Sequence, residues 1–70
     1  MPLSRTQRDI LKAMHRIRKP TTVNEIAKVS HISWITVKNN LEILQRHNLV
    51  ILQKRTLRKT WVVNYAMFDG

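Results

Sequence analysis

Residues 33–47 constrain the fold of this chain more than any other stretch, because they have the pattern of a single amphipathic helix. Val37, Leu41 and Leu44 fall at positions i, i+4 and i+7, so they share one helical stripe that we expect to be buried. Short, polar and cationic side chains dominate the N-terminal half of the opposite face. A helix that exposes such an end can enter the major groove of DNA.

Both ends of this helix have suitable capping residues. Ser33 can accept a hydrogen bond from a free backbone N–H at the start, and Ile32 can pack against Val37 as a hydrophobic staple. Asn48 can end the helix in a left-handed conformation. We therefore predict a helix with well-defined boundaries.

A first helix is predicted from about Arg5 to Arg18. Ser4 and Gln7 match the capping-box pattern that precedes it. Its expected buried stripe contains Ile10, Leu11, Met14 and Ile17. Its far side is basic and contains Arg5, Arg8, Lys12 and Arg16. We interpret that basic stripe as a solvated face, the alternative being a second contact with DNA or a protein.

A shorter helix is predicted between these two. Pro20 disfavours helical geometry in the residue before it, and Thr22 with Glu25 forms a second capping box that opens a helix to about Val29. Its inward candidates are Val23, Ile26 and Ala27. Thr21 or Thr22 could also form a short strand pairing before this helix. His31 can hold a tight turn with positive φ, which gives a helix-turn-helix unit.

The pattern changes from helical to β after Asn48. Residues 49–52 and 61–65 are apolar and β-branched, which indicates two strands of a hairpin. The basic segment 53–60 between them is predicted to be the connecting loop. Trp61, Val63 and Tyr65 alternate with their neighbours, so we expect them to face the core.

Composition narrows the possible functions. Seventy residues make one small domain, and 13 Lys and Arg against 4 acidic residues give a formal charge of +9. The expected partner is therefore a polyanion, with DNA or RNA favoured over a membrane surface. No cysteine, clustered histidines or Gly-rich phosphate loop is present. We expect no enzymatic activity, metal, cofactor, small-molecule ligand or membrane contact, and a cytoplasmic location.

The run from Glu25 to Val50 resembles the winged helix-turn-helix family of prokaryotic transcription regulators. The matching residues are Ala27, Ile32, Ser33, Thr36, Val37, Leu41, Leu44, Leu49 and Val50. His31 and Asn48 stand where the family has glycine. Small size and high charge are similar to regulators carried by archaeal viruses and plasmids. The resemblance implies an α+β winged helix-turn-helix domain over residues 1–70, with three helices and a C-terminal two-stranded β-hairpin wing.

The resemblance also implies where DNA would bind. Helix 33–47 would contact bases in the major groove, and the basic wing 53–60 would contact the backbone or the minor groove. The residues expected at this interface are Thr22, Ser33, Trp34, Ile35, Thr36, Lys38, Asn39, Asn40, Arg46, Lys54, Arg55, Arg58 and Lys59.

Several of these residues have a second interpretation. Trp34 either contacts a thymine methyl group or packs against the domain. Asn40 is expected to be more buried than Asn39. Glu42 is expected to form an ion pair with Arg46 at i+4. The wing cations either contact phosphates or make a charged edge that keeps the strands from aggregating.

Two classes of function follow. The first is a sequence-specific DNA-binding transcription regulator. The alternative is a winged-helix module that binds an acidic protein partner through its basic surface. A homodimer on DNA is a further prediction, for which Leu3, Met67 and Phe68 offer apolar contacts unless they complete the core.

Overall fold

The computed structural model describes residues 2–55 and 58–68. Three helices precede a two-stranded antiparallel sheet, which confirms the predicted α+β winged-helix architecture. The elements are α1 (Arg5–Ile17), α2 (Val23–Ser30), α3 (Trp34–Arg46), β1 (Val50–Arg55), β2 (Arg58–Val63) and a 3-10 helix (Tyr65–Met67). Within the described residues, every helix is too short or too polar to cross a membrane.

Both predicted capping boxes are present. The Ser4 hydroxyl accepts from the Gln7 N–H at 3.1 Å, and the Gln7 side chain accepts from the Ser4 N–H at 3.0 Å. Thr22 and Glu25 make the equivalent pair at 3.3 and 3.2 Å. Each cap stabilises its helix by about 1 kcal/mol, because it satisfies N–H groups that have no partner inside the helix.

Among the residues that the structure describes, three other than glycine have positive φ, and each follows the end of a helix. His31 (φ 59°) and Asn48 (φ 62°) are the two that the sequence predicted. The N–H of Leu49 donates to the carbonyl of Leu44 at 2.9 Å, as in a Schellman motif around Asn48. Arg18 (φ 60°) ends α1 in the same conformation, which its residue type did not indicate.

The core lies where the three helices meet the sheet. Its buried apolar residues are Ile10, Ala13, Met14, Ile26, Val37, Leu41, Leu44, Val50 and Trp61. The predicted stripe of α3 is confirmed, since Val37, Leu41 and Leu44 are fully buried. In α1 the stripe is shifted, because Leu11 and Ile17 are only partly buried.

The prediction of a loop over residues 53–60 was wrong. β1 continues to Arg55 and β2 begins at Arg58, and residues 56 and 57 between them lie outside the described part. Lysine is disfavoured in strands, which hid the pattern. The pair Leu52↔Trp61 fixes the register, and the pairing continues along the strands through Lys54↔Lys59.

Two further details concern β2 and its surroundings. Thr21 is buried and exchanges backbone hydrogen bonds with Trp61 at 3.1 and 2.8 Å, so the short strand predicted before α2 is a single bridge. Tyr65 does not face the core as predicted, since it is 50% exposed in the 3-10 helix. The strand alternation ends at Asn64, whose side chain donates to the Asn48 carbonyl at 2.8 Å.

Candidate nucleic-acid interface

The N-terminal half of α3 exposes apolar as well as polar side chains. Trp34 and Ile35 are 48% and 53% exposed, which is unusual for large apolar side chains, and Asn39 is also exposed. Ser33 caps the helix by accepting from the Thr36 N–H at 3.4 Å, and its hydroxyl donates to the Thr36 hydroxyl at 2.8 Å. This end of α3 therefore offers apolar, hydroxyl and amide groups to the outside.

The two asparagines of α3 have different surroundings. Asn40 is half-buried, as predicted; its amide donates to the Thr36 carbonyl at 2.8 Å, and its side-chain oxygen accepts from Gln7 at 3.3 Å. Gln7 is itself buried, so this bond joins α1 to α3. Asn39 lies on the outside of the helix. The structure thus uses Asn40 within the fold and leaves Asn39 facing outward.

Trp34, Lys38 and Glu42 form a ladder along α3. The Lys38 Nζ lies 5.9 Å from the centroid of the Trp34 ring and 3.8 Å from the Glu42 Oε1. The predicted Glu42–Arg46 ion pair was wrong: Lys38 is the partner instead. Lys38 is four residues from both neighbours, and the aromatic face attracts its ammonium group to the same line of the helix. The pair is exposed, so it stabilises the helix by about 0.5 kcal/mol at most.

The wing places like charges directly opposite one another. Lys54 pairs with Lys59 and Arg55 pairs with Arg58 across the hairpin, while the side chain of Arg55 lies outside the described part. Because side chains alternate along a strand, Lys54 and Lys59 share the face that carries buried Trp61. Arg58 is exposed and belongs to the opposite face.

A groove of about 380 Å³ lies between α3, the start of α2 and the wing. It brings together four of the residues predicted to bind DNA: Thr22, Trp34, Lys38 and Lys59. Asn24 and Gln45 also line it, and the sequence analysis missed them. Gln45 could have been found, since it lies seven residues after Lys38 on the same side of the helix.

None of the other predicted residues whose side chains the structure describes lines this groove. Arg46 is exposed in the last turn of α3, about 12 Å along the helix axis from Lys38.

Trp34 is not part of the buried core, although it lines the groove. Trp34 is therefore partly exposed: its ring is not packed in the core, and it is not fully open to solvent.

The apolar residues considered for a dimer contact lie close together. Leu3, Met67 and Phe68 line one cleft of about 310 Å³ together with Leu49. Leu3 packs partly against the core, whereas Met67 and Phe68 are 51% and 45% exposed. The homodimer itself stays a prediction.

Comparison with known proteins supports the architecture. The chain is similar to the crystal structure of the ST1889 protein from the thermoacidophilic archaeon Sulfolobus tokodaii, with a TM-score of 0.80 and 28% sequence identity. The match covers 96% of this chain and 67% of that chain. The chain matches no protein-family model and no curated protein. The winged-helix fold therefore rests on the structure and this likeness, and the function has to be argued from the site.

Proposed function

We propose that this chain is a sequence-specific double-stranded DNA-binding domain of a transcription regulator. The observation that carries the proposal is the groove in which Lys38 of α3 and Lys59 of the wing face the same space. A duplex that places α3 in its major groove would bring its phosphates to these two cations. Neutralisation of phosphates by Lys and Arg provides most of the sequence-independent affinity for DNA.

The charge pattern of the wing supports this proposal. Like charges directly opposite each other destabilise an antiparallel pair, and Lys54 lies directly opposite Lys59 near the end of this hairpin. A polyanion relieves that repulsion. A hairpin that only needed a charged edge could achieve the same protection from aggregation with mixed or unpaired charges.

The exposed end of α3 supports sequence-specific contacts. An asparagine amide can donate to and accept from adenine in the major groove, and an apolar side chain can contact the methyl group of thymine. Asn39 and Ile35 supply these two groups on the outside of the helix. Asn40 is already bonded to Thr36 and Gln7, so we assign the amide contact to Asn39.

The proposal is tested by selecting duplexes from a random pool with the purified chain and measuring affinity for the selected and a scrambled duplex over a range of salt concentrations. We expect log K to fall linearly with log salt, with a slope of about −0.9 for each phosphate contacted. The selected duplex should bind more tightly at every salt concentration. If no duplex binds at low salt, or if selection yields no common sequence, the proposed function is wrong.

A further inference from the structure

A second groove, of about 670 Å³, lies between the C-terminal half of α1 and the end of β2. Its floor is apolar and contains Leu11, Val63, Tyr65 and Phe68. Tyr65 and Phe68 are 50% and 45% exposed, so a large part of this floor is open to solvent.

The wall of this groove is held in place by a hydrogen bond. His15 Nδ1 lies 2.9 Å from the Tyr65 hydroxyl, and the two rings are in edge-to-face contact with centroids 5.8 Å apart. This bond joins α1 to the 3-10 helix, two elements far apart in the sequence. The Tyr65 ring is therefore oriented before anything binds, which reduces the entropy lost on binding.

The rim of the groove is cationic. Lys12, Arg16 and Arg18 line it, and within residues 2–55 and 58–68 none of the three is in an ion pair. An apolar floor with a basic rim is complementary to a ligand that has apolar side chains flanked by carboxylates.

This groove is separate from the interface proposed for DNA. Val63, on its floor, follows Arg58 by five residues along β2, which places it about 16 Å from that end of the wing. The residues of α3 that line the first groove do not line this one. Both grooves can therefore be occupied at the same time.

We propose that the groove is a docking site for an acidic segment of a partner protein, with apolar side chains that insert between Tyr65 and Leu11. A second copy of this chain fits less well, because it carries a charge of +9 and would bring two cationic rims together. DNA fits less well too, because phosphates gain nothing from an apolar floor. The segment would bind in the manner of an amphipathic helix laid into a groove.

The test uses a fluorescent peptide in which Leu and Phe are four residues apart and flanked by Asp residues. Two variants remove proposed contacts with the peptide: Arg16→Glu reverses a charge on the rim, and Tyr65→Ser removes one aromatic ring from the floor. Each has a matched control. Arg8→Glu reverses an exposed charge on α1 outside the groove, and Met67→Ser removes an exposed apolar side chain that lines only the other cleft.

We expect each groove variant to weaken peptide binding at least about tenfold, and each control to change it less than about twofold. Tyr65→Phe keeps the ring but removes its bond to His15, so it should weaken binding less than Tyr65→Ser does, which separates loss of the ring from loss of its orientation. Peptide-induced amide shifts should lie at Leu11 and Val63. The proposal is overturned if the peptide does not bind, if Arg8→Glu and Arg16→Glu lower the affinity for the peptide equally, or if the amide shifts lie on the wing. It is also overturned if Tyr65→Ser abolishes a dimer of this chain.

The same variants distinguish this inference from the proposed function. Arg16→Glu and Tyr65→Ser should each leave the ratio of affinities for selected and scrambled duplexes unchanged, since neither residue lines the first groove. Peptide binding can succeed even if no duplex is bound, and duplex binding can succeed even if the peptide is not.

Discussion

The two parts of the proposed DNA interface differ in their chemistry. The exposed end of α3 is mixed: it has an amide, two large apolar side chains and a cation that is already engaged by Glu42. The wing is cationic, and Lys54 lies directly opposite Lys59, so their charges repel across the strands. Base edges are distinguished by hydrogen bonds and methyl contacts, whereas phosphates are the same at every step of the duplex. The difference therefore indicates a division between sequence-specific contacts in α3 and sequence-independent contacts in the wing.

The two parts of the interface meet at Lys38, which belongs to α3 but lines the groove together with the wing residue Lys59. It lies over Trp34, bonds to Glu42 and lines the groove with Lys59. Glu42 partly offsets its charge. In the proposed interface, α3 would therefore add less sequence-independent attraction for DNA than the wing does.

The largest expected effect is on the α3 side of the comparison. Asn39→Ala should remove an amide contact and weaken binding to the selected duplex by about 1–3 kcal/mol. Binding to the scrambled duplex and thermal stability should barely change, because the side chain faces away from the core. His47→Ala, which removes an exposed polar side chain just after α3 and outside the groove, is the control and should have a smaller effect. Equal losses on both duplexes would mean that Asn39 contacts only the backbone.

On the wing side, replacing Lys54 and Lys59 together by Gln should weaken binding to the selected and the scrambled duplex by a similar factor, because two phosphate contacts are lost. The salt slope should become shallower by about 2. Arg8→Gln removes an exposed cation from α1 and should change the slope much less. A wing variant that instead abolishes the preference for the selected duplex would reverse the two roles.

The cap of α3 offers a smaller test that separates folding from binding. Ser33→Ala should lower the free energy of unfolding by about 1 kcal/mol, because the Thr36 N–H loses its acceptor. Ser33→Asp should restore that stability but weaken DNA binding, since it places a carboxylate at the helix end that faces phosphates. Urea unfolding and duplex titration measure the two effects. Loss of stability in both variants would show that the hydroxyl bond to Thr36 matters more than capping.

The smallest expected effect comes from Glu42→Gln. Loss of the exposed pair with Lys38 should lower the free energy of unfolding by only about 0.5 kcal/mol or less. Affinity for the scrambled duplex should rise, because Lys38 becomes available to phosphates, and discrimination between the duplexes should fall. If scrambled-duplex affinity stays the same or falls, Glu42 does not restrain Lys38.

Most of the fold was predictable because its boundaries depend on local chemistry. The capping boxes at Ser4 and Thr22 and the left-handed positions at His31 and Asn48 all involve residues within a few positions of one another. The buried stripe of α3 follows from its period. Arg18 shows the limit of such reasoning, because its side chain has no special preference for positive φ and Pro20 after it decides where α1 must end.

The site was less predictable because it depends on contacts between distant segments. The pairing of Lys54 with Lys59 was not predictable, because the cationic segment that contains them has the composition of a loop. The partner of Glu42 was missed because Arg46 and Lys38 are equally spaced from it, and the Trp34 ring breaks that tie. The groove beside Tyr65 was missed for the same reason, since its walls come from α1 and from the end of the chain.

The most direct test of the central claim is to follow backbone amide shifts while a selected duplex is added at moderate salt. The account predicts the largest changes over residues 33–39 and at the wing cations Lys54, Arg58 and Lys59. Scrambled duplex should perturb the wing to a similar extent but residues 33–39 much less. Changes centred on Tyr65 and Phe68, or equal changes in α3 with both duplexes, would contradict the proposed division between base contacts and phosphate contacts.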